Sequence, residues 1–173
     1  MKQRGFTVIE LLVVIGILAL LTSMLLLYSR DSEKQLTLLR EQAKLVNTIL
    51  RAKSLSIQTF RVDGAACGYG VHIVPKYYQL FKDSKINGDC SLRASNKKFD
   101  VGEELEEKTN LYAVDIELSS NPNVTDIFFT PPDPKTTLTP NASETTITLS
   151  TNIAGEQSSV VVVVNSAGQV SSR

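Results

Sequence analysis

An unbroken apolar run near the start of the chain limits its fold more than any other feature. From Phe6 to Tyr28, about 23 residues, the only charge is Glu10, and the next is Arg30. As a helix this run is roughly 35 Å long, enough to cross a ~30 Å hydrocarbon core. Lys2 and Arg4 precede it, as expected of a cytoplasmic N-terminus. A secretory signal peptide fits poorly. Its small residues follow a short apolar region, whereas here Gly5 comes first and the run is too long. A plain membrane anchor accounts for the length and the two cations but not for Glu10. A carboxylate costs about 2.5–3.5 kcal/mol at the centre of a membrane helix and less near the interface. Glu10 stands one turn in from Phe6, within snorkelling reach of the headgroups.

Neither Pro nor Gly occurs between Gly16 and Gly64, so the apolar helix is expected to run on without a break. Leu36, Leu39, Ala43, Val46 and Leu50 recur at three- and four-residue steps, with Leu38, Leu45, Ile49 and Ala52 flanking them. This is amphipathic periodicity. The expected product is a rod of roughly 75–80 Å, apolar all round in its first half and on one stripe in its second.

The whole chain has 173 residues, 18 basic and 18 acidic, and 42% apolar content. That is one or at most two globular domains, with no net-charge footprint for nucleic acid. Beyond Asp63 the signals change to strands. Tyr69–Val74 and Tyr77–Lys82 read as a hairpin turned by Pro75 and Lys76. The segment 95–110 is dense in charge and reads as a solvated loop or short helix. Leu111–Leu118, Val124–Thr130, Thr145–Leu149, Ser159–Val164 and Gln169–Ser171 read as further strands, with a turn at Ala154-Gly155. The Pro- and Thr-rich segment 130–144 reads as an exposed loop open to a partner. The five valines Val160–Val164 are too few to span a membrane and read as a central strand.

Candidate chemistry is sparse. Asp83, Asn87 and Asp89 around Gly88 suit a calcium loop. They depart from the EF-hand spacing, and they are also ordinary turn residues. No other cofactor is indicated. His72, the one histidine, is explained by strand alternation, and with Cys67 and Cys90 it makes a poor zinc set. No phosphate loop or nucleophile elbow is present, so an enzyme on a stalk is disfavoured.

Arg4-Gly5-Phe6-Thr7-Val8-Ile9-Glu10-Leu11-Leu12-Val13-Val14 resembles the leader and N-terminus of type IV pilins and type II secretion pseudopilins. The resemblance is close over residues 4–21. It implies cleavage between Gly5 and Phe6 by prepilin peptidase, N-methylation of Phe6, and a role in assembly for Glu10. A new α-amino cation on Phe6 and the Glu10 carboxylate of a neighbour would neutralise one another among packed apolar helices, where either alone is costly. The hairpin from Gly68 to Asp89 is similar to the first hairpin of H-type pseudopilins and minor pilins. Two departures are clear: no Pro stands late in the apolar helix, and the cysteines are internal. With the globular part outside the cytoplasm, Cys67 and Cys90 are placed to bridge; two reduced thiols are the alternative.

The expectation is therefore an α+β, pilin-like protein. Residues 1–5 are the leader, 6–29 the transmembrane and assembly helix, 30–62 its amphipathic half, and 63–173 an extracytoplasmic domain whose antiparallel sheet packs on the helix. The expected location is the bacterial inner membrane, single pass, and then a pilus or pseudopilus. Prepilin peptidase and other pilin or pseudopilin subunits are the expected partners. The rival is a membrane-anchored binding module that never polymerises.

Overall fold

The computed structural model describes residues 7–59, 66–84, 90, 96–111, 115–131, 135–153 and 155–173, the side chains of 25–31 and 59 excepted. One helix, α1 (Val8–Thr59), precedes nine strands: β1 (Ala66–Val74), β2 (Tyr77–Ser84), β3 (Thr109–Asn110), β4 (Glu117–Asn121), β5 (Asp126–Thr130), β6 (Lys135–Thr139), β7 (Glu144–Ile153), β8 (Glu156–Asn165) and β9 (Val170–Ser172). α1 has 52 residues, roughly 78 Å if straight. Its length follows from sequence, since nothing within it removes a backbone donor or clashes with a preceding turn.

The strands form two antiparallel sheets, in the orders β3-β2-β1-β5-β6 and β4-β7-β8-β9. The expected single sheet is thus a pair, both seated on the second half of α1. Backbone bonds connect them: Leu118 N donates to Pro75 O at 3.0 Å, and Thr136 N to Ser166 O at 3.4 Å. The segment expected to be an exposed loop, 130–144, contains β6, which pairs with β5 from Asp126↔Thr139 to Thr130↔Lys135. Thr136 and Leu138 are buried there. Pro131 and Pro140 bound the strand instead of abolishing it, because proline is tolerated beside a ladder though not within it.

The core lies between α1 and the two sheets. Leu38, Leu45, Ile49 and Ala52 from the helix meet Val71, Leu80, Ile127, Phe129, Ile147, Leu149, Val162 and Val164. The stripe expected to face this core was Leu36, Leu39, Ala43, Val46 and Leu50. The structure turns the helix so that the flanking residues face it, while Leu36, Leu39 and Leu50 stay exposed. Polar residues on the buried face explain the difference. Gln42 Nε2 donates to Val161 O at 2.8 Å and to Arg173 O at 3.1 Å. Ser56 Oγ donates to Phe129 O at 2.8 Å and accepts from Tyr69 N at 3.2 Å. A buried polar side chain is tolerated where it is bonded, so here the core-facing stripe is the less apolar one by composition.

A second, smaller cluster covers the outer face of the first sheet. Phe81 and Phe128 stack at 6.0 Å, and Phe99 meets Phe81 edge-on at 5.7 Å. The charged segment around Phe99 is a loop whose charged side chains are mostly exposed, as expected, but it is pinned to the sheet. Lys82 N donates to Glu103 O at 2.9 Å and Leu105 N to Leu80 O at 3.1 Å, which fastens it to the edge of β2. No helix forms there among the described residues.

Candidate assembly site

The helix begins with a capping box. Thr7 Oγ1 accepts from Glu10 N at 3.3 Å, and Glu10 Oε2 accepts from Thr7 N at 3.5 Å. Thr7-Val8-Ile9-Glu10 is the S/T-x-x-E signature that satisfies two orphan donors of the first turn. The spacing is visible in the sequence, where the charge of Glu10 within an apolar run overshadows it. Within one chain, then, the carboxylate has a local role as well, near the positive end of the helix dipole.

Beyond the cap the described helix is uncovered. Val8, Ile9, Leu11, Leu12, Leu20 and Met24 are each more than half exposed, Val8 at 81% and Met24 at 74%. Apolar surface on this scale marks an interaction or membrane surface. A β-carbon on Gly16 would meet nothing. Among the described residues, no helix is long and apolar enough to cross a membrane. The reason is extent: the apolar stretch with described side chains, Val8–Met24, is about 25 Å long, short of a ~30 Å core. The expected span Phe6–Tyr28 includes residues beyond it. Gly5 and Phe6 themselves lie outside the described residues.

At the other end Cys67 and Cys90 form a disulfide, with Cα atoms 5.3 Å apart. It ties β1 to the segment after β2. Closing a loop of this length is worth about 3 kcal/mol in the chain-entropy model.

The remaining candidates are engaged in structure. Asp83 is buried, and its Oδ2 accepts from Lys97 N at 3.2 Å. Asn87 and Asp89 lie outside the described residues. No group of three or more His, Cys, Asp or Glu that could hold a metal occurs among the described residues. His72 Nδ1 lies 2.7 Å from Asp126 Oδ1, and its ring stacks on Phe99 at 4.6 Å. Asp126 also accepts from Thr125 Oγ1 at 2.7 Å and from Phe99 N at 3.3 Å. Among the described residues no nucleophile is bonded to this histidine, and the arrangement fastens the Phe99 segment. A polar cleft of about 420 Å³ lies between the Lys76 turn and the β7–β8 hairpin. It is bridged by Lys76 Nζ on Glu117 Oε1 at 2.7 Å. Lys76 holds the Glu117 carboxyl below its usual range.

Residues 1–26 match the family model for the prokaryotic N-terminal methylation motif. The fold matches a crystal structure of the type IV minor pilin FimU from Pseudomonas aeruginosa with a TM-score of 0.51 at 14% identity, covering 80% of this chain and 90% of that one. The fold is that of a type IV pilin. No curated protein matches it in sequence. The pilin-like fold unites the two ends of α1: a motif-bearing apolar half left bare, and a distal half buried under the sheets.

Proposed function

We propose that this chain is a minor pilin or pseudopilin, a structural subunit of a type IV pilus or type II secretion pseudopilus. One observation carries the reading. The Glu10-bearing half of α1 is exposed on every side, while the same helix is rigidly held at its other end by two sheets. A surface so apolar needs lipid first and neighbouring helices afterwards. The precursor sits across the inner membrane, its sheets outside the cytoplasm. Prepilin peptidase cuts between Gly5 and Phe6 and the new Phe6 terminus is methylated. Glycine lets the backbone approach a protease closely. The Phe6 amine of one subunit then pairs with Glu10 of another, which sets their register. Leaving the capping box is the local cost to Glu10. No catalytic role is assigned to any residue.

Co-expression of the full chain with prepilin peptidase tests the reading. The expected product has lost the mass of residues 1–5 and gained a methyl group, and Gly5→Leu blocks the cut. Glu10→Ala is expected to be processed normally and to enter fibres about tenfold less well, the effect of one lost charge pairing of about 1.4 kcal/mol. A mature chain that still begins at Met1, or unaltered incorporation of Glu10→Ala, refutes it.

A further inference from the structure

The end of the second sheet nearest the apolar half of α1 carries a cleft that no role above uses. Contacts along α1 set the direction of this sheet. Lys53 Nζ donates to Gly168 O at 2.9 Å, Gln42 Nε2 to Val161 O at 2.8 Å and Lys34 Nζ to Asn152 O at 3.2 Å. The β7–β8 hairpin therefore descends as the helix numbering falls, and its tip comes nearest the apolar half. Lys34 stands six residues past Tyr28, where the apolar run ends, which is about 9 Å along a helix. The β7–β8 ladder continues past Asn152 to Ile153↔Glu156, roughly another 3 Å. The tip thus lies about 6 Å above the end of the apolar run. A headgroup layer is about 5–8 Å deep on each side of the hydrocarbon.

Beside this tip lies the polar cleft of about 420 Å³, whose lining includes Lys76, Asp115, Glu117, Ser150, Asn152 and Gln157. Lys76 comes from the β1–β2 turn, Asp115 and Glu117 from the start of β4, and the others from the β7–β8 hairpin. Both carboxylates are exposed. Lys76 Nζ bridges the cleft to Glu117 Oε1 at 2.7 Å, with the Glu117 side chain 68% exposed. An ion pair so open to water contributes at most about 1 kcal/mol. A ligand with one charge of each sign therefore exchanges with it readily, replacing one charged contact by two.

We propose that this cleft takes a phosphoethanolamine headgroup of the bilayer in the precursor. The proposal rests on the membrane-spanning reading above and adds a site by which the sheets hold the lipid surface. Lys76 donates to the phosphate, and the primary ammonium donates to Asp115 and Glu117, in charge-assisted hydrogen bonds. The Ser150 hydroxyl and the Asn152 and Gln157 amides serve the remaining polar atoms. Two carboxylates against one ammonium disfavour a headgroup that is only anionic. Lys34 and Glu156 flank the cleft with one charge of each sign and leave that balance unchanged. A quaternary ammonium has no N–H to give either carboxylate. The height of the tip favours a lipid over a free zwitterion. The contact fixes the rotation of the sheets about α1 at the membrane surface, and lifting the helix out of the bilayer breaks it.

The full chain in nanodiscs tests this, with a fluorophore attached through Glu156→Cys while Cys67 and Cys90 stay bonded to each other. Quenching by a trace lipid with a nitroxide on its headgroup reports how closely the tip approaches. The nanodiscs contain phosphatidylglycerol mixed with either phosphatidylethanolamine or phosphatidylcholine. Quenching is expected to be about threefold stronger with phosphatidylethanolamine, the effect of one exposed charged contact. Asp115→Asn combined with Glu117→Gln is expected to abolish that difference and to leave Tm within about 2 °C, because both side chains are exposed. Should that variant misfold, the lipid comparison in the chain without it still decides. Equal quenching in the two mixtures, or a difference that survives the double substitution, overturns the inference. So does quenching that follows the phosphatidylglycerol content alone. Insertion is read separately, by resistance of the chain to alkaline extraction from vesicles. A chain that stays inserted but unquenched overturns the headgroup site and leaves the membrane reading standing; a chain that alkali extracts brings down both.

Discussion

The two sheets share one helix but cover themselves differently. In the β1–β2–β5 sheet, residues facing either way are buried: β1 is buried at seven of its nine positions, since α1 lies under one face and Phe81, Phe99 and Phe128 close the other. In the β7–β8 sheet burial alternates. Thr145, Ile147, Leu149 and Thr151 point inward, while Thr146, Thr148 and Ser150 stay partly exposed. A strand covered on both faces has no polar side to give, and its neighbours' rings must pass over its backbone. A strand covered on one face keeps the two-residue alternation and tolerates change on the other. The first sheet should therefore be brittle and the second forgiving.

Gly70 is the strongest place to break that contrast. A β-carbon there would lie 2.5 Å from the Phe81 ring and 2.7 Å from Ile127 O. The ring cannot swing away, because Phe128 and Phe99 hold it. Gly70→Val is expected to destabilise the chain by about 3 kcal/mol, a fall in Tm of roughly 6–12 °C. A thermal melt that moves by less than about 2 °C would mean that the aromatic cover is loose and the two sheets are alike.

Tyr78 sharpens the comparison on the inner side of the same sheet. Burial disfavours its phenolate and the Glu41 carboxylate adds to the effect, so the phenol is pushed up from 10.0 to about 12. The folded value exceeds the unfolded one. Its contribution to stability is then complete below about pH 10 and is lost as the pH rises through about 12. The Tyr78 hydroxyl is buried without a hydrogen-bond partner among the described residues, so Tyr78→Phe is expected to change stability by less than about 1 kcal/mol near neutrality and to flatten the decline between those limits. Denaturant midpoints measured from pH 8 to pH 12, within the range where the backbone stays intact, should start close together and separate as the parent falls below Tyr78→Phe; parallel curves would show that the phenol is not desolvated.

The contrast also explains what could be read in advance. The long helix was legible because breakers are missing between Gly16 and Gly64, and the central strands because β-branched runs such as Val160–Val164 have few other uses. The motif at residues 1–26 was legible because it combines independent features in order. What escaped detection is physical in each case. The orientation of α1 turned on Gln42 and Ser56, polar residues whose bonds to sheet carbonyls no hydropathy pattern reveals. β6 was hidden by its flanking prolines. Leu111–Leu118 was expected as one strand, but Ile116 and Leu118 are buried around a shorter β4 that begins at Glu117. That two sheets form, not one, depends on long-range pairing such as Val71↔Ile127, which local sequence does not encode. The capping box at Thr7 and Glu10 was present in plain spacing, obscured by a more conspicuous property of the same carboxylate.

Thr148 provides the smallest effect and the most direct test of the forgiving sheet. It pairs with Val161 in the middle of the β7–β8 ladder, and its side chain lies on the face away from α1. Thr148→Val keeps the shape and the β-branch and removes only a hydroxyl that no buried partner requires, so the change is expected within about ±0.5 kcal/mol. The same exchange at Thr145, whose Oγ1 donates to Pro122 O at 3.3 Å in a buried position, is expected to cost about 1 kcal/mol, because it leaves that carbonyl short of a donor. The two positions are three residues apart on one strand, with the same residue type and the same propensity. Equal effects at both would mean that face, and hence the one-sided cover of this sheet, does not govern its tolerance.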